Sequence, residues 1–416
     1  MHGHPVEVGL NSNFSPRIAA TRASASILCL CMVACPGGEP GTSVGPASES
    51  SDGTTPATTG APTTGATGGT SDGTDTGCDA EYETRSVEGP QMPRALALVR
   101  RAGGADIAVL GGSLTVLDGV GGSFTPLTSL PGGGAMLVAA DIDGDGDDDL
   151  VSHADMTATT FVRDAKGAFA APIAFGVYGD ALAMVAGDSD GDGRQDLYIG
   201  ASGGFENSET FVQHLRSNGD GSFTATRIDV PGCYFAIPAV GDVDGDGALD
   251  LVSGSYGCDD LTVFRGDGGG GVLAPQTLTV PDGNALVAAR LADLDGDGLD
   301  DAILALGDEL AIYRSTGGGA LAPVGVWPVG AEVAVSGLDV GLVDCDAHPD
   351  VVVVSADVAE IRVFPGEGGG SLGAMKTFPI AAPGRAVAVG RLDGDGFADI
   401  AAATDSGVQL VLSAGM

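Results

Sequence analysis

Four stretches of the chain share the spacing D-x-D-G-D-G-x-x-D: Asp141 to Asp149, Asp188 to Asp196, Asp242 to Asp250 and Asp293 to Asp301. Carboxylates at positions 1, 3, 5 and 9 can converge on one centre. The glycines at 4 and 6 permit the tight backbone that turns alternate side chains inward. The chemistry on offer is chelation of a hard cation by oxygen. A donor set without His or Cys argues against zinc or copper, and a flexible loop offering five or more oxygens suits calcium better than magnesium. Position 7 is Asp147, Arg194, Ala248 or Leu299, and position 2 is Ile142, Ser189, Val243 or Leu294. Such variety is expected if position 7 ligates only through its backbone carbonyl. The expected ligands are therefore Asp141, Asp143, Asp145, Asp147 and Asp149; Asp188, Asp190, Asp192, Arg194 and Asp196; Asp242, Asp244, Asp246, Ala248 and Asp250; and Asp293, Asp295, Asp297, Leu299 and Asp301. About four Ca2+ sites follow. A solvated acidic turn is the alternative, but four carboxylates held this close repel one another unless a cation neutralises them.

Other chemistry is poorly represented. Gly-x-Ser-x-Gly, the hydrolase elbow, occurs around Ser43, Ser71, Ser189, Ser202 and Ser371, which in a chain with 70 glycines is noise. The five histidines are scattered, so no His cluster suggests a catalytic metal. No enzyme is expected. With 56 acidic against 18 basic residues and a net charge of -38, the chain should be repelled by nucleic acid. Lys166 and Lys376 are the only lysines, and neither follows a glycine, which excludes a P-loop.

The elements that hold the acidic loops repeat with them. Aligned on the last aspartate, the units fall at Asp106, Asp149, Asp196, Asp250, Asp301, Asp350 and Asp399, spaced by 43, 47, 54, 51, 49 and 49 residues. Each aspartate opens a short apolar run such as "LVSG" or "VVVV". A second run follows, as in "LTVFRG", then a glycine-rich turn, a third run such as "GVLAPQTLTV", and a fourth that arrives back at the loop. Four short strands in roughly 50 residues, seven times over, describe the blades of a propeller. The chain is thus expected to be all-β, a seven-bladed β-propeller. The last unit stops at "GVQLVLSAGM" after its third strand, while "AEYETRSVEGP" ahead of the first unit resembles an outer strand. An N-terminal strand completing the last blade accounts for both. Trp327 falls in an outer strand, where packing is its expected role.

These units resemble FG-GAP or VCBS repeats, the family that includes the calcium-binding propeller of integrin alpha subunits. The resemblance spans residues 94–416 and, with the closing strand, starts near Cys78. It implies metal loops in the hairpin between the first and second strands of a blade. Three units depart from the pattern: the first has "RRAGGAD", the sixth has Leu342 at position 1 with Cys345 and Ala347 in place of the glycines, and the seventh has Arg391 at position 1. The seventh keeps Asp393, Asp395 and Asp399, and the guanidinium of Arg391 is expected to replace the ion by donating to two carboxylates at once; the alternative is that Arg391 points to solvent and a weakened site still binds calcium.

Upstream, Arg17 and Arg22 precede a twelve-residue apolar run from Ala23 to Ala34. It is too short to span a bilayer and suits a signal peptide over residues 1–35. Met32-Val33-Ala34-Cys35 resembles a bacterial lipoprotein box, with lipidation at Cys35. Residues 36–77 are Gly, Thr, Ser and Pro with a few acids, a linker that cannot form a core, and the propeller occupies 78–416. In an oxidising compartment Cys233 with Cys258 and Cys78 with Cys345 are the expected disulfides, since each pair shares a face of an up-and-down ring. The composite expectation is an exported lipoprotein, on the outer membrane or cell surface, or secreted if Cys35 is not lipidated. It would meet the membrane only through the lipid and bind a protein ligand in an adhesion or interaction role. Lectin-like glycan binding is the alternative, and a propeller lyase or phosphodiesterase a more distant one.

Overall fold

A computed structural model describes residues 81–90, 92–101, 104–120, 123–202, 209–232, 234–256, 258–280, 286–331, 333–344, 346–395 and 397–414. The leader, the linker and Cys35, Cys78, Cys233 and Cys345 lie outside them. Among the described residues there are 28 strands and no helix. They form seven four-stranded antiparallel sheets, blades 1 to 6 spanning 95–130, 136–176, 180–229, 236–279, 286–328 and 335–379. Blade 7 takes three strands from 384–414 and its outermost from Glu81–Val87. That strand pairs antiparallel with Gly407–Ala414, from Glu81 opposite Ala414 to Val87 opposite Val408. The first strands touch their neighbours around the whole ring, blade 7 against blade 1 included. The all-β, seven-bladed propeller closed by an N-terminal strand is therefore the fold.

Burial follows radius, and this explains the sequence pattern. A second strand such as Asp350–Ser355 lies between two neighbouring blades and is buried on both faces, so it reads as the unbroken run "VVVV" rather than as an alternation. Outer strands such as Ser123–Leu130 are mostly exposed and alternate. Where blades converge only small residues fit: a Cβ on Gly200 would stand 2.1 Å from the Ala236 carbonyl oxygen of the next blade. One buried ionic tie crosses three first strands, with Arg290 of blade 5 donating to Asp339 of blade 6 at 3.1 Å and Val389 N–H of blade 7 donating to the same carboxylate at 2.8 Å. Trp327 packs in its outer strand, its indole N–H donating to the Leu372 carbonyl at 2.8 Å.

Antiparallel order decides which loops share a face. The turns between strands 1 and 2, and between strands 3 and 4, lie on one side of the disc. Those between strands 2 and 3, and the links between blades, lie on the other. All four complete acidic loops join strands 1 and 2, so they ring one face.

Candidate metal loops and the opposite face

In each complete loop the position-1 aspartate closes the turn. The N–H groups of Gly144 and Gly146 donate to the two oxygens of Asp141 at 2.8 and 2.9 Å. Gly191 and Gly193 do the same for Asp188, Gly245 and Gly247 for Asp242, and Gly296 and Gly298 for Asp293. Every one of these glycines has φ between +71° and +92°, the left-handed region that side chains avoid. The position-5 carboxylate accepts the N–H of position 7, as in Asp246 with Ala248 at 2.8 Å. Asp147, Arg194 and Leu299 donate likewise, so their backbone is held whatever their side chain.

Three carboxylates in each loop bring an oxygen within 4.8 Å of one another: Asp141, Asp143 and Asp149; Asp188, Asp190 and Asp196; Asp242, Asp244 and Asp246; Asp293, Asp295 and Asp297. The trio is thus positions 1, 3 and 9 in the first two loops and 1, 3 and 5 in the others. Of the expected carboxylate ligands, Asp145, Asp147, Asp192, Asp250 and Asp301 stand outside it. The donor set is hard oxygen throughout, and the Oδ1 of Asp190 is buried without a hydrogen-bond partner. These residues fit a divalent cation of the calcium type.

The last aspartate has a second role that sequence reasoning missed. Asp149 accepts from Ile142 N–H at 3.0 Å and from Arg163 N–H at 2.6 Å, tying the loop to the end of the third strand. Asp196, Asp250 and Asp301 make the same two bonds, and so do Asp350 and Asp399 in units without a complete loop. All are buried. The signal was its recurrence at Asp350 and Asp399, where the metal pattern fails. Position 8 was also missed, although it clasps neighbouring blades: Gln195 binds the backbone of Asp141, and Asp300 that of Asp242, in each case through N–H and C=O. Asp148 does the same with Arg100 and also holds its guanidinium at 2.8 Å.

Burial, then neighbouring acids, raise these carboxyls. Asp149 is pushed up to about 7, with Asp143 and Asp141 adding to the effect of burial, and Asp250, Asp301, Asp350 and Asp399 to about 6. Burial also pushes Asp196 upward, but the His214 ring and Ser189 hydroxyl outweigh it and hold it below the usual range. In the unfolded chain aspartates titrate near about 3.9. Between about pH 4 and 7 the folded state therefore holds more protons than the unfolded one, and stability falls as pH rises. In a chelating buffer the urea midpoint is expected to be lower at pH 7.5 than at pH 5, and a midpoint that climbs over this range would contradict the assignment.

Arg391 does not do what its position suggested. It is exposed and makes no ion pair among the described residues. The cation that acts on Asp393 is Arg85 of the closing strand. In blade 1, which has no acidic loop, Arg101 and Arg163 hold the two oxygens of Asp106 at 2.9 and 2.7 Å. Ser189, His214 and Asp196 meet beneath the second loop, with Ser189 Oγ 3.1 Å from His214 Nε2 and bonded to Asp196. All three are buried, so this contact supports the loop and offers no nucleophile to solvent.

The face away from the loops has another character. Tyr178 and Tyr234 lie in the links that enter blades 3 and 4, and Tyr256 and Met156 in strand 2 to 3 turns. Their exposures are 71, 51, 45 and 58%. Cys258, two residues from Tyr256, is disulfide-bonded, while its expected partner Cys233 lies outside the described residues.

A family model described as FG-GAP-like repeat matches residues 141–199, 242–304 and 343–402. No curated protein matches. Among solved structures, the chain is similar to BBS1N in its complex with ARL6DN, at 13% identity and a TM-score of 0.54 over 80% of this chain and 95% of that one. An Agrocybe aegerita lectin specific for non-reducing terminal N-acetylglucosamine is similar at 22% identity and a TM-score of 0.52, over 72% of this chain and 85% of its own. Saccharomyces cerevisiae Sqt1 is similar at 11% identity and 0.53, over 80% and 98%. At these identities the likeness is one of fold. Residues 141–199, 242–304 and 343–402 carry FG-GAP-like repeats, and the chain folds as a seven-bladed β-propeller.

Proposed function

We propose that this chain is a calcium-binding propeller that serves as a protein-interaction module, without catalytic activity, displayed outside the cytoplasm on a lipid at Cys35 or secreted. The observation that carries the reading is the division of labour between faces. Four oxygen-only loops ring one face, each with three carboxylates within 4.8 Å, and Tyr178, Tyr234, Tyr256 and Met156 stand exposed on the other. Calcium at the loops would neutralise them and tie strand to strand, leaving the opposite face to a partner. Loops on a rigid ring present a broad surface suited to another protein.

Lectin-like binding is the second reading, favoured by Tyr178, Tyr234 and Tyr256 standing exposed on one face. Sugars stack on such rings, and a propeller of the same fold is a lectin. Binding of the purified chain to cell-envelope material separates the two. Calcium-dependent binding that is lost after protease treatment and survives periodate oxidation is expected. Loss after periodate, with signals on a glycan array, would replace the protein partner by a glycan.

A further inference from the structure

Three arginines recur at intervals of 49 residues: Arg216, Arg265 and Arg314. Each directly precedes the residue whose N–H holds the position-9 aspartate, namely Ser217, Gly266 and Ser315. Each reaches the position-3 aspartate of its own blade's loop: Arg216 pairs with Asp190, Arg265 with Asp244 at 3.3 Å, and Arg314 with Asp295 at 3.5 Å. In the second loop Arg194 adds another guanidinium, on Asp192. Blade 2 has Val162 at the corresponding place, and Asp143 makes no ion pair among the described residues. In the first loop none of the five carboxylates is ion-paired among the described residues: Arg100 closes on Asp148 and acts on Asp141 only through space. The second sets four against two guanidiniums, the third four against one, and the fourth, with Asp300, five against one.

We propose that the four loops form a graded series of calcium sites in which these arginines set the order, Asp141–Asp149 binding most tightly and Asp188–Asp196 most weakly. The inference rests on the calcium reading above. The clamp does not fill the site. Arg216 engages Oδ2 of Asp190, while Oδ1 of this nine-tenths buried side chain has no hydrogen-bond partner and remains for an ion. Two effects then act with one sign. A fixed positive charge repels an incoming dication, and the same charge relieves carboxylate repulsion in the metal-free loop, so less is gained when an ion enters. A unit charge about 6 Å from a divalent ion in a water-like dielectric changes affinity by about tenfold.

Calorimetric titration of the full chain with calcium chloride is expected to show at least two classes of site, the tighter holding one ion. Asp143→Asn should remove that class. Val162→Arg should weaken it about tenfold, and Arg216→Gln should strengthen the weakest class about tenfold. Arg216→Lys should stay near the parent, since it keeps the charge; a purely structural role for the arginine would make Lys and Gln behave alike. Melting in EDTA checks that each variant is folded. Four equivalent sites, or loss of a weak class in Asp143→Asn, would overturn the ranking alone. Absence of any calcium heat would overturn the calcium reading and the ranking with it.

Discussion

Excess EDTA is expected to lower the melting temperature of the propeller by about 10 to 20 °C. A ligand held only by the folded state stabilises it by about 2.7 kcal/mol per site at a free concentration one hundred times its Kd. In a large domain each kcal/mol moves Tm by about 2 °C. Four sites at that ratio therefore reach the upper figure, and two the lower. The loops are placed for such an effect. Each joins the first and second strands of blades 2 to 5, and the position-8 clasps Gln195 to Asp141 and Asp300 to Asp242 carry the constraint across blade seams. Loosening one loop thus loosens the strand of its neighbour. Differential scanning calorimetry with calcium, with EDTA, and with EDTA followed by magnesium measures this. Magnesium should restore little, because it demands near-octahedral geometry and sheds water reluctantly. A Tm that ignores EDTA would remove the calcium assignment.

What the sequence disclosed here is local, and what it concealed is distant. The bonds from Gly245 and Gly247 to Asp242 lie within six residues, so their spacing survives as a motif that can be read without a structure. Ring closure was legible too, because the segment around Glu81–Val87 resembles the outer strands of the other units while the last unit shows only three strands through Gly407–Ala414. The arginine clamps were not seen. Arg265 meets Asp244 across 21 residues, and only the 49-residue recurrence of arginine beside Ser217, Gly266 and Ser315 marks it. Arg391 failed for the complementary reason. Its place in the motif is local, but where a long flexible side chain points is decided by solvent and by neighbouring strands, and Arg85 from the far end of the chain is the charge beside Asp393.

Asp350→Ala is expected to cost about 3 kcal/mol of stability at pH 7 while leaving the number of bound calcium ions unchanged. The residue belongs to the sixth unit, which has Leu342 at position 1 and is not among the four complete loops. Its carboxylate is fully buried and accepts three backbone N–H groups, from Val343 at 2.8 Å, Asp344 at 3.1 Å and Gly366 at 3.0 Å. Truncation orphans all three, at about 1 to 3 kcal/mol each. One effect opposes this. Burial pushes the carboxyl up to about 6, with Asp344 adding to it, so the ionised form carries a penalty near neutral pH that truncation removes. That penalty is about 2 to 3 kcal/mol, from about 1.4 kcal/mol per pKa unit, and the orphaned donors outweigh it. Asp346→Ala in the same hairpin is the control: its side chain is exposed, and the expected cost is under about 1 kcal/mol. Urea unfolding of both variants in EDTA, where no ion contributes, isolates the hydrogen bonds. If Asp350→Ala unfolded at the same midpoint as Asp346→Ala, the position-9 aspartate would have no role apart from metal, and its presence in the sixth and seventh units would be left without a physical cause.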